Sequence, residues 1–493
     1  MSSEPAGDAQ GGPGRDRPGG ARGLALLRHR NLRLYLIGQT ISQSGTWMQT
    51  VALGWLVIEL TGSGSLLGLV TAAQFLPVLV FGAFAGALSD RLSRWHMLQT
   101  TQVLAGVLAA GLGALVATDA IGIGGLFVLA AAIGTVNAFD TPVRSSFTYE
   151  MVGDADLTGA IGLTSSMNSM SRIVGPAIAA GLIALFGLPV CFFVNAASYL
   201  VCIATFLMMR RDELEPKPPA PSRKGQVREG VRLVWADPRL RTPLLMTVVV
   251  GALAYENQIS LPLFAEFTFD GDAGSYGLLS SALGVGSVLG GLVVARWGRG
   301  THRRLGMATV LLGTTMLVAS TMPTLAAMSV ALVTVGLGSV AFLTMTSSVL
   351  QLTAPPSARG RVLALYVTAI IGTTPVGGPI IGWIGETIGP RATYVTGGLA
   401  CLVVAAVAWR SLAHAHEEEV GPAELAEIEE RAVREAEDVD ADSASAMPRS
   451  LSVGEAELSR RRGTGARCFT GGRGVLRSAP TGRGDVTGRR NRR

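Results

Sequence analysis

The sequence predicts an all-α membrane protein with twelve transmembrane helices in two pseudo-symmetric bundles of six. The chain has 493 residues, of which 48% are apolar and only 15% are charged, a balance that is unusual for a soluble domain. Between Leu32 and Trp409 it contains twelve apolar stretches, most of which reach the roughly 20 residues needed to cross a bilayer. Arginines are concentrated in alternate connectors, which predicts the side of the membrane that each connector faces.

The predicted spans form two sets of six. The first set is Leu32–Ile58, Ser65–Leu88, Met97–Thr118, Ile121–Phe139, Thr158–Leu185 and Pro189–Met209. The second set is Thr242–Phe264, Ser275–Ala295, Leu305–Thr321, Thr324–Thr346, Val362–Ile384 and Ala392–Trp409. Gly86 and Gly291 lie 205 positions apart and are each followed by a pair of arginines, which supports a duplication. Two repeated halves are typical of transporters whose substrate path lies between the repeats.

The segments outside and between the spans complete the predicted organisation. In chain order they are a disordered cytoplasmic tail (1–30), the first bundle (31–209), a cytoplasmic linker (210–241), the second bundle (242–410) and a second disordered cytoplasmic tail (411–493). The tails are too polar or too biased in composition to build a core. We expect the linker to end in a short amphipathic helix around Val227–Trp235, lying along the membrane surface.

The charge distribution predicts a multi-pass protein of the cytoplasmic membrane with both termini in the cytoplasm. Connectors on the cytoplasmic side contain nearly all of the arginines that flank the spans, whereas the opposite connectors contain one, Arg391. The net charge of +6 is therefore attributed to arginines facing anionic lipid, and no nucleic-acid partner is expected.

Several kinds of chemistry are excluded by what the sequence lacks. Its two lysines, Lys217 and Lys224, follow proline and arginine, whereas a phosphate-binding loop places glycine before its lysine. All five histidines lie outside the predicted spans, and the four cysteines have no spacing typical of a disulfide framework or a metal site. We therefore expect no enzyme activity, no cofactor and no metal. Movement of a solute is the function that remains.

The connector after the second span contains the first functional motif, Gly86-Ala87-Leu88-Ser89-Asp90-Arg91-Leu92-Ser93-Arg94. Gly86 permits close packing at the turn, and Asp90 supplies a negative charge for a helix N-terminus or an arginine. Our hypothesis is that Asp90 latches the outward-facing state at the cytoplasmic face, with Arg144 or the start of the eleventh span as its partner. The alternative is that Arg91, Arg94 and their neighbours only set topology.

Three further motifs accompany this connector and indicate a family. The fifth span contains Arg172-Ile173-Val174-Gly175-Pro176, the fourth is followed directly by Asp140-Thr141-Pro142-Val143-Arg144, and the first contains Trp47-Met48-Gln49-Thr50. Together the motifs resemble the major facilitator superfamily, in the branch that includes the enterobactin exporter and the transmembrane secretion effectors. The resemblance implies the major facilitator fold and export of siderophores, drugs or antibiotics driven by proton influx.

Two charged residues lie deep within the predicted spans, Arg172 and Glu256, each about 14 residues from the cytoplasmic end. Charges at such depth are costly and usually face a cavity or a partner. Glu256 is predicted to couple proton movement to transport or to bind substrate. The alternative is that it lies near the outer end of the span and is simply solvated at the external loop. Arg172 is expected to bind an anionic substrate group or to hold Glu256 in its charged form. A purely structural pair remains an alternative.

Polar side chains beside these charges are the remaining predicted lining of the substrate path. Gln39, Gln43, Trp47 and Thr50 share one face of the first span, and Asn257 follows Glu256 directly. Such a stripe either lines a substrate path or serves as glue between helices. Gly175 and Pro176 allow a kink at a close helix approach, for packing or for gating.

The prediction that unites these features is a secondary active exporter of a small molecule, coupled to protons, functional as a monomer and working by alternating access. An importer or uniporter of the same architecture is one alternative. A membrane scaffold or sensor whose C-terminal tail recruits partners is another, and it would lose its function on removal of residues 420–493.

Overall fold

The structure is a computed structural model that describes residues 26–89, 92–214, 226–298 and 300–419. In this part of the chain the only regular secondary structure is helical. The described residues belong to one compact unit.

The N-half of the bundle has six long helices. They are α1 (Arg30–Thr61), α2 (Gly64–Ser89), α3 (Arg94–Ala117), α4 (Ile123–Gly153), α5 (Gly159–Phe186) and α6 (Leu188–Leu207). Helices α4 and α5 form one helical run from Ile123 to Phe186, interrupted only where Gly153 adopts φ 67°. A positive φ of this kind suits glycine, because a side chain there would meet its own backbone.

The C-half follows a short linker helix, α7 (Gln226–Ala236). Its helices are α8 (Pro238–Ala254), α9 (Asn257–Phe267), α10 (Ala273–Trp297), α11 (His302–Ser320), α12 (Leu325–Thr353), α13 (Arg359–Thr387) and α14 (Pro390–Glu419). The predicted seventh span is thus two helices, broken at Tyr255 and Glu256. Helix α14 continues to Glu419, whereas a disordered tail was expected from residue 411.

Ten helical segments among the described residues are long and apolar enough to cross a membrane, with α8 and α9 counted as one segment. Helices α1 and α11 have 32 and 19 residues but are more polar. The all-α membrane fold is therefore confirmed, and α1 and α11 fit the predicted count of twelve by length and position.

The fourth span was predicted to end at Phe139, and this boundary was wrong. Helix α4 continues to Gly153 and includes Asp140 and Arg144, which we had placed at the span end and in the connector. The two side chains form an i,i+4 ion pair with the Asp140 side chain only 4% exposed. Because each charge neutralises the other, the helix accommodates both without a break.

Successive helices place their connectors at two opposite ends of the bundle. The arginine-rich end is defined by Arg94, Arg210, Arg239, Arg303 and Arg361. The arginine-poor end comprises the connectors at 62–63, 118–122, 187, 268–272, 321–324 and 388–389. The one arginine beside these described connectors, Arg391, donates hydrogen bonds to the carbonyl oxygens of Ser320 and Met322 and so closes the C-terminal end of α11.

Helix packing separates contacts within each half from contacts between halves. In the N-half α1 packs on α5 and α6, α3 packs on α6, and α2 packs on α4; in the C-half α10 and α11 pack on α12, and α8 packs on α13 and α14. The halves meet mainly where α2 contacts α13 and where α5 contacts α10, and α1 also contacts α9 and α10. A substrate path between the halves would lie between the two main helix pairs.

The predicted amphipathic helix of the linker is α7, and it lies against the arginine-rich end of the C-half. Its Glu229 forms an ion pair of 2.5 Å with Arg361 of α13. Its Val234 is buried in a cluster with Leu350 and Tyr366. The opposite face leaves Trp235 exposed, as expected for a helix at a membrane interface.

Candidate functional site

Helices α1 and α5 approach each other closely at Gly175. A Cβ atom at this position would lie 2.6 Å from both the Ser44 carbonyl oxygen and the Trp47 Cβ, so no larger residue fits without movement. The carbonyl of Pro176 faces α10, 2.9 Å from where a Cβ of Gly277 would lie. The predicted Gly175–Pro176 motif therefore lies at the junction of α1, α5 and α10, where both halves meet.

This close approach brings the side chains of Trp47 and Arg172 together. The Arg172 guanidinium carbon lies 4.8 Å from the centre of the Trp47 ring, a cation–π contact. One turn away, Gln43 Nε2 donates a hydrogen bond of 2.9 Å to Asn168 Oδ1. Arg172 and Asn168 are exposed although both belong to a predicted membrane span. The structure thus brings three predicted site residues into one exposed seam.

Glu256 occupies the break between α8 and α9. Its residue is 5% exposed, and its Oε1 has no hydrogen-bond partner among the described residues. The carboxyl group lies beside Thr374 of α13. A buried carboxyl group with one oxygen left without a hydrogen bond is costly in its charged form, so this position suits a group that changes protonation state.

The neighbours of Glu256 anchor the break to two further helices, α12 and α14. Tyr255 donates its hydroxyl to the Ser339 carbonyl oxygen of α12 at 2.8 Å, and Asn257 Oδ1 accepts a 2.8 Å hydrogen bond from Tyr394 of α14. Asn257, predicted to line the substrate path, is thus tied to Tyr394. The phenol of Tyr255 is also close enough to Arg172 for an electrostatic interaction. The break therefore connects the polar seam of the N-half to α12, α13 and α14.

The direct ion pair that we considered between Arg172 and Glu256 is not formed. Both residues belong to the described part of the chain, yet Arg172 stacks on Trp47 and Glu256 points into α13. The Glu256 carboxyl group lies beside Thr374 of α13, whereas the Arg172 guanidinium lies over Trp47.

A second set of buried charges lies wholly inside the N-half. The Asp140 carboxylate accepts hydrogen bonds from Thr101 at 2.7 Å and from Gln102 at 3.0 Å, both on α3, besides its ion pair with Arg144. Ser42 of α1 donates to Gln102 at 3.3 Å and extends the network to a third helix. Our expectation that only Arg172 and Glu256 lie at depth was therefore wrong.

At the arginine-rich end, Arg94 forms a 2.5 Å ion pair with Glu150 of α4, and both side chains are 10% exposed. This pair ties the start of α3 to the end of α4 within the N-half. Asp90 and Arg91 lie outside the described residues, and Gly86 belongs to the last turn of α2. Arg144, one of the proposed partners of Asp90, is bound to Asp140 of its own helix.

The two halves are joined at the arginine-poor end by Glu386 of α13. Its Oε2 accepts hydrogen bonds of 2.8 Å from both the Ser63 hydroxyl and the Ser65 backbone N–H, at the start of α2. Directly below, Gly64 and Gly68 of α2 are pressed against the backbone of Gly378 and Gly382 of α13. The spacing of four residues on both helices is the small-xxx-small pattern of close helix pairs.

Glycines further along the same helices lie in open space. Gly82 and Gly86 of α2 and Gly360 of α13 have no atoms within 4 Å of where a Cβ would be. Gly291 of α10 is equally open, whereas Gly277 on the same helix is tightly packed against α5. Along the α2–α13 pair the contact is therefore tight towards the arginine-poor end, and the glycines towards the arginine-rich end have open Cβ positions.

The rest of the polar stripe on α1 faces into the N-half. Gln39 is 4% exposed and donates a hydrogen bond of 3.6 Å to the Cys202 sulfur of α6. It therefore joins α1 to α6 and does not line a cavity. Thr50 and Gln74 line a small polar cavity with Asn137 and Tyr199, with room for about one or two waters. Only Gln43 and Trp47 of the predicted stripe reach the seam beside α5.

Residues 21–444 match the family described as transmembrane secretion effector, a family of the major facilitator superfamily. The chain belongs to this family of membrane transporters. Multidrug efflux pump Tap of Mycolicibacterium fortuitum is 28% identical over 391 residues, 76% of this chain and 94% of that protein. Staphyloferrin A transporter of Staphylococcus aureus is 22% identical over 253 residues, 51% of this chain and 64% of that protein. Family membership confirms the predicted transporter class and the prediction that the protein is not an enzyme.

A solved structure agrees with the fold of this transmembrane secretion effector. The bacterial homolog of the human lysosomal transporter Spinster, in an inward-facing and unoccupied conformation, matches with a TM-score of 0.60. The match has 16% sequence identity and covers 81% of this chain and 96% of that chain. At this identity the likeness concerns the fold alone.

Sequence reasoning missed Glu150, Glu386 and the partners of Asp140. Glu150 and the partners of Asp140 were overlooked because α4 was expected to end at Phe139, so the residues after it were treated as connector. Glu386 had a usable signal: the Gly378-x-x-x-Gly382 spacing one turn before it repeats Gly64-x-x-x-Gly68 at the start of α2.

Proposed function

We propose that this transporter exports a small molecule, such as a drug, siderophore or natural product, across the bacterial cytoplasmic membrane in exchange for protons. It works as a single chain by alternating access between its two halves. The observation that carries the proposal is Glu256, a buried carboxyl group at a helix break, beside Thr374 of α13. The adjacent residue, Tyr255, lies within electrostatic range of Arg172 of the other half.

Glu256 is suited to proton coupling because its surroundings disfavour a fixed charge. In a closed seam the carboxyl group is more stable when protonated, whereas exposure to water on one side would allow it to release its proton. Rearrangement of α8 and α9 against α13 would change that exposure. Protonation of Glu256 and movement of the halves are then linked, which is the requirement for coupled exchange.

Alternating access is supported by the uneven contact between the halves. At the arginine-poor end the halves are joined through Glu386 and through the glycine contacts between α2 and α13. The open glycine positions towards the other end are consistent with a path that opens there. We infer that the structure corresponds to a state closed at the arginine-poor end.

The orientation follows from the arginine distribution. Connectors rich in arginine remain in the cytoplasm during membrane insertion, so the arginine-rich end is cytoplasmic and both termini face the cytoplasm. The state described is then inward-facing, and the contact made by Glu386 closes the external side.

The direction of transport is inferred from the relatives. One is named a multidrug efflux pump and another a staphyloferrin A transporter, which supports export of small organic molecules. The energy suffices, because a proton crossing ~150 mV yields about 3.5 kcal/mol at roughly 2.3 kcal/mol per charge per 100 mV. That energy sustains a gradient of a few hundredfold for a neutral solute, at about 1.4 kcal/mol per tenfold.

The proposal is tested first by survival and then by transport. A panel of antibiotics is given to an efflux-deficient host with and without this protein, and the compound with the greatest protection is followed in everted membrane vesicles. We expect a pH gradient to drive its uptake and a protonophore to abolish it. Glu256→Gln should reduce the pH-driven component at least tenfold, because the side chain can no longer change its charge.

The matched control is Glu266→Gln, which changes a carboxylate at the far end of α9 and should leave transport intact. Membrane abundance of both variants is measured by immunoblotting. Full pH-driven transport by Glu256→Gln at equal abundance would contradict the coupling role of this residue.

A further inference from the structure

We propose that the exported compound carries an anionic group, such as a carboxylate, and that Arg172 binds it in the seam between α1 and α5. This inference rests on the proposed function and adds a substrate class to it. It is drawn from the contacts of Arg172, from the positions of the nearby carboxylates and from the support given by Trp47.

The charge of Arg172 is not neutralised by the described part of the protein. The residue lies at the middle of α5, is exposed, and makes a ring contact with Trp47 but no ion pair or hydrogen bond with a described residue through its guanidinium group. An arginine at this depth in a membrane span is costly, and such residues usually face a partner or a water-filled path. Arg172 lies over Trp47 beside the Gln43–Asn168 hydrogen bond, on the seam of α1 and α5 where we place the path.

The carboxylates at similar depth are committed elsewhere. Within the described helices these are Asp140 and Glu256. Asp140 is bound by Arg144, Thr101 and Gln102 inside the N-half. Glu256 is buried against α13 and makes no ion pair with Arg172. The path between the halves therefore presents a cation without a facing anion, and an anionic substrate would supply the missing charge.

Trp47 prepares Arg172 for such a ligand. The guanidinium carbon lies over the indole, 4.8 Å from its centre. None of the described residues accepts a hydrogen bond from the guanidinium N–H groups, and their planar arrangement matches the two oxygens of a carboxylate. The lysine ammonium group cannot donate two parallel hydrogen bonds to one carboxylate. Arg172→Lys should therefore retain the electrostatic attraction to the anion but lose the paired hydrogen bonds.

The surroundings limit where Arg172 can point. Gly175 allows α1 and α5 to approach until Trp47 Cβ lies against the α5 backbone, which fixes the indole beneath the guanidinium. The Gln43–Asn168 hydrogen bond braces the same two helices one turn away. A positioned cation loses less entropy on binding than a mobile one, which favours selective recognition.

An anionic substrate also changes the electrical properties of transport. The membrane potential is negative inside, so it favours outward movement of an anion as well as inward movement of a proton. Exchange of one monoanion for one proton is consequently electrogenic, with two elementary charges moved per cycle. Export of a neutral compound against one proton would move only one.

The test measures binding, which requires no knowledge of the natural substrate. Full-length protein in nanodiscs is titrated with three probes that differ in one group: 2-naphthoate, 2-naphthamide and 2-naphthylmethylamine. We expect 2-naphthoate to bind at least tenfold tighter than the amide and the amine. Arg172→Gln should abolish this preference, and Arg172→Lys should retain part of it.

Arg391→Gln is the matched control, because it removes an arginine at the arginine-poor end and should leave the preference unchanged. Thermal unfolding and gel filtration establish that each variant is folded. The proposal would be overturned if 2-naphthoate did not bind, if the three probes bound equally, or if the amine bound more tightly. A carboxylate preference that survives Arg172→Gln would overturn it as well.

Failure here is distinguishable from failure of the proposed function. If pH-driven export persists and the carboxylate preference is absent, only the substrate class is wrong. If 2-naphthoate binds through Arg172 and no compound is exported in response to a pH gradient, the proton-coupled function is wrong.

Discussion

Gly175 shows how a single residue determines the geometry of the seam. It allows the α5 backbone to lie against Ser44 and Trp47, and this contact places the indole beneath Arg172. Addition of even one methyl group would force α1 and α5 apart. The glycine therefore acts on the site without touching a substrate.

We predict that Gly175→Ala lowers stability by about 1–3 kcal/mol, the usual cost of overpacking, and reduces transport more than abundance. Gly181→Ala is the control, because Gly181 lies on the same helix with no atoms within 4 Å of its Cβ position. Thermal unfolding in detergent and export of the protective antibiotic are measured for both. Equal behaviour of the two variants would contradict the role given to Gly175.

Asp140 has a structural role in the N-half. Its carboxylate neutralises Arg144 and accepts hydrogen bonds from two residues of α3. Asp140→Ala should destabilise the protein by about 3–5 kcal/mol, because it leaves a buried arginine unpaired. The double variant Asp140→Ala/Arg144→Ala should recover part of this loss in thermal unfolding. A double variant less stable than Asp140→Ala would show that the ion pair is not the main interaction.

At the scale of helices, the contact of α13 with the start of α2 closes the arginine-poor end. Glu386 accepts the Ser65 backbone N–H, which no helical carbonyl can satisfy in the first turn of α2. A carboxylate at this position also interacts favourably with the positive end of the helix dipole. The contact exists only while the two halves are together at this end, so it stabilises one of the two states.

Glu386→Gln should weaken this closure by about 1 kcal/mol, in line with the loss of a charged helix cap. The population open at the arginine-poor end would then rise about fivefold. Alkylation of a cysteine placed at Ile259, which is fully buried beside Gly378, reports this opening in a background without native cysteines. Glu59→Gln, an exposed carboxylate at the end of α1, is the control; an unchanged alkylation rate in Glu386→Gln would refute the closure role.

The helices also show what a sequence does and does not predict. Apolar length located most spans, because crossing a bilayer requires a long apolar helix whatever its partners. The end of α4 was mispredicted because Asp140 and Arg144 appear polar in sequence, whereas in the fold they neutralise each other. Likewise the polar residues around Glu256 indicated that this part of the seventh span does not face lipid, but they did not predict the helix break. The break is explained by tertiary contacts with Thr374, Ser339 and Tyr394.

At the scale of the whole molecule, alternating access requires two halves that open at one end while closing at the other. Interfaces between packed helices tend to have discrete arrangements, so rocking of the halves would exchange the α2–α13 contacts near Glu386 for contacts near the opposite end. Sequence repetition predicted two halves, and the structure adds the two helix pairs through which they meet. It also explains how Arg172 and Glu256 lie near one seam without forming a pair.

The most direct test measures the distance across both ends of the molecule. Spin labels are attached in a cysteine-free background at Leu60 and Ile388 on the arginine-poor end, and at Met208 and Leu352 on the arginine-rich end, all exposed positions. Double electron–electron resonance is recorded in nanodiscs at pH 8 and at pH 5.5. We predict that the two distances change in opposite directions between these pH values, and that Glu256→Gln removes the change. Two distances that stay fixed, or that lengthen together, would contradict alternating access coupled to protons.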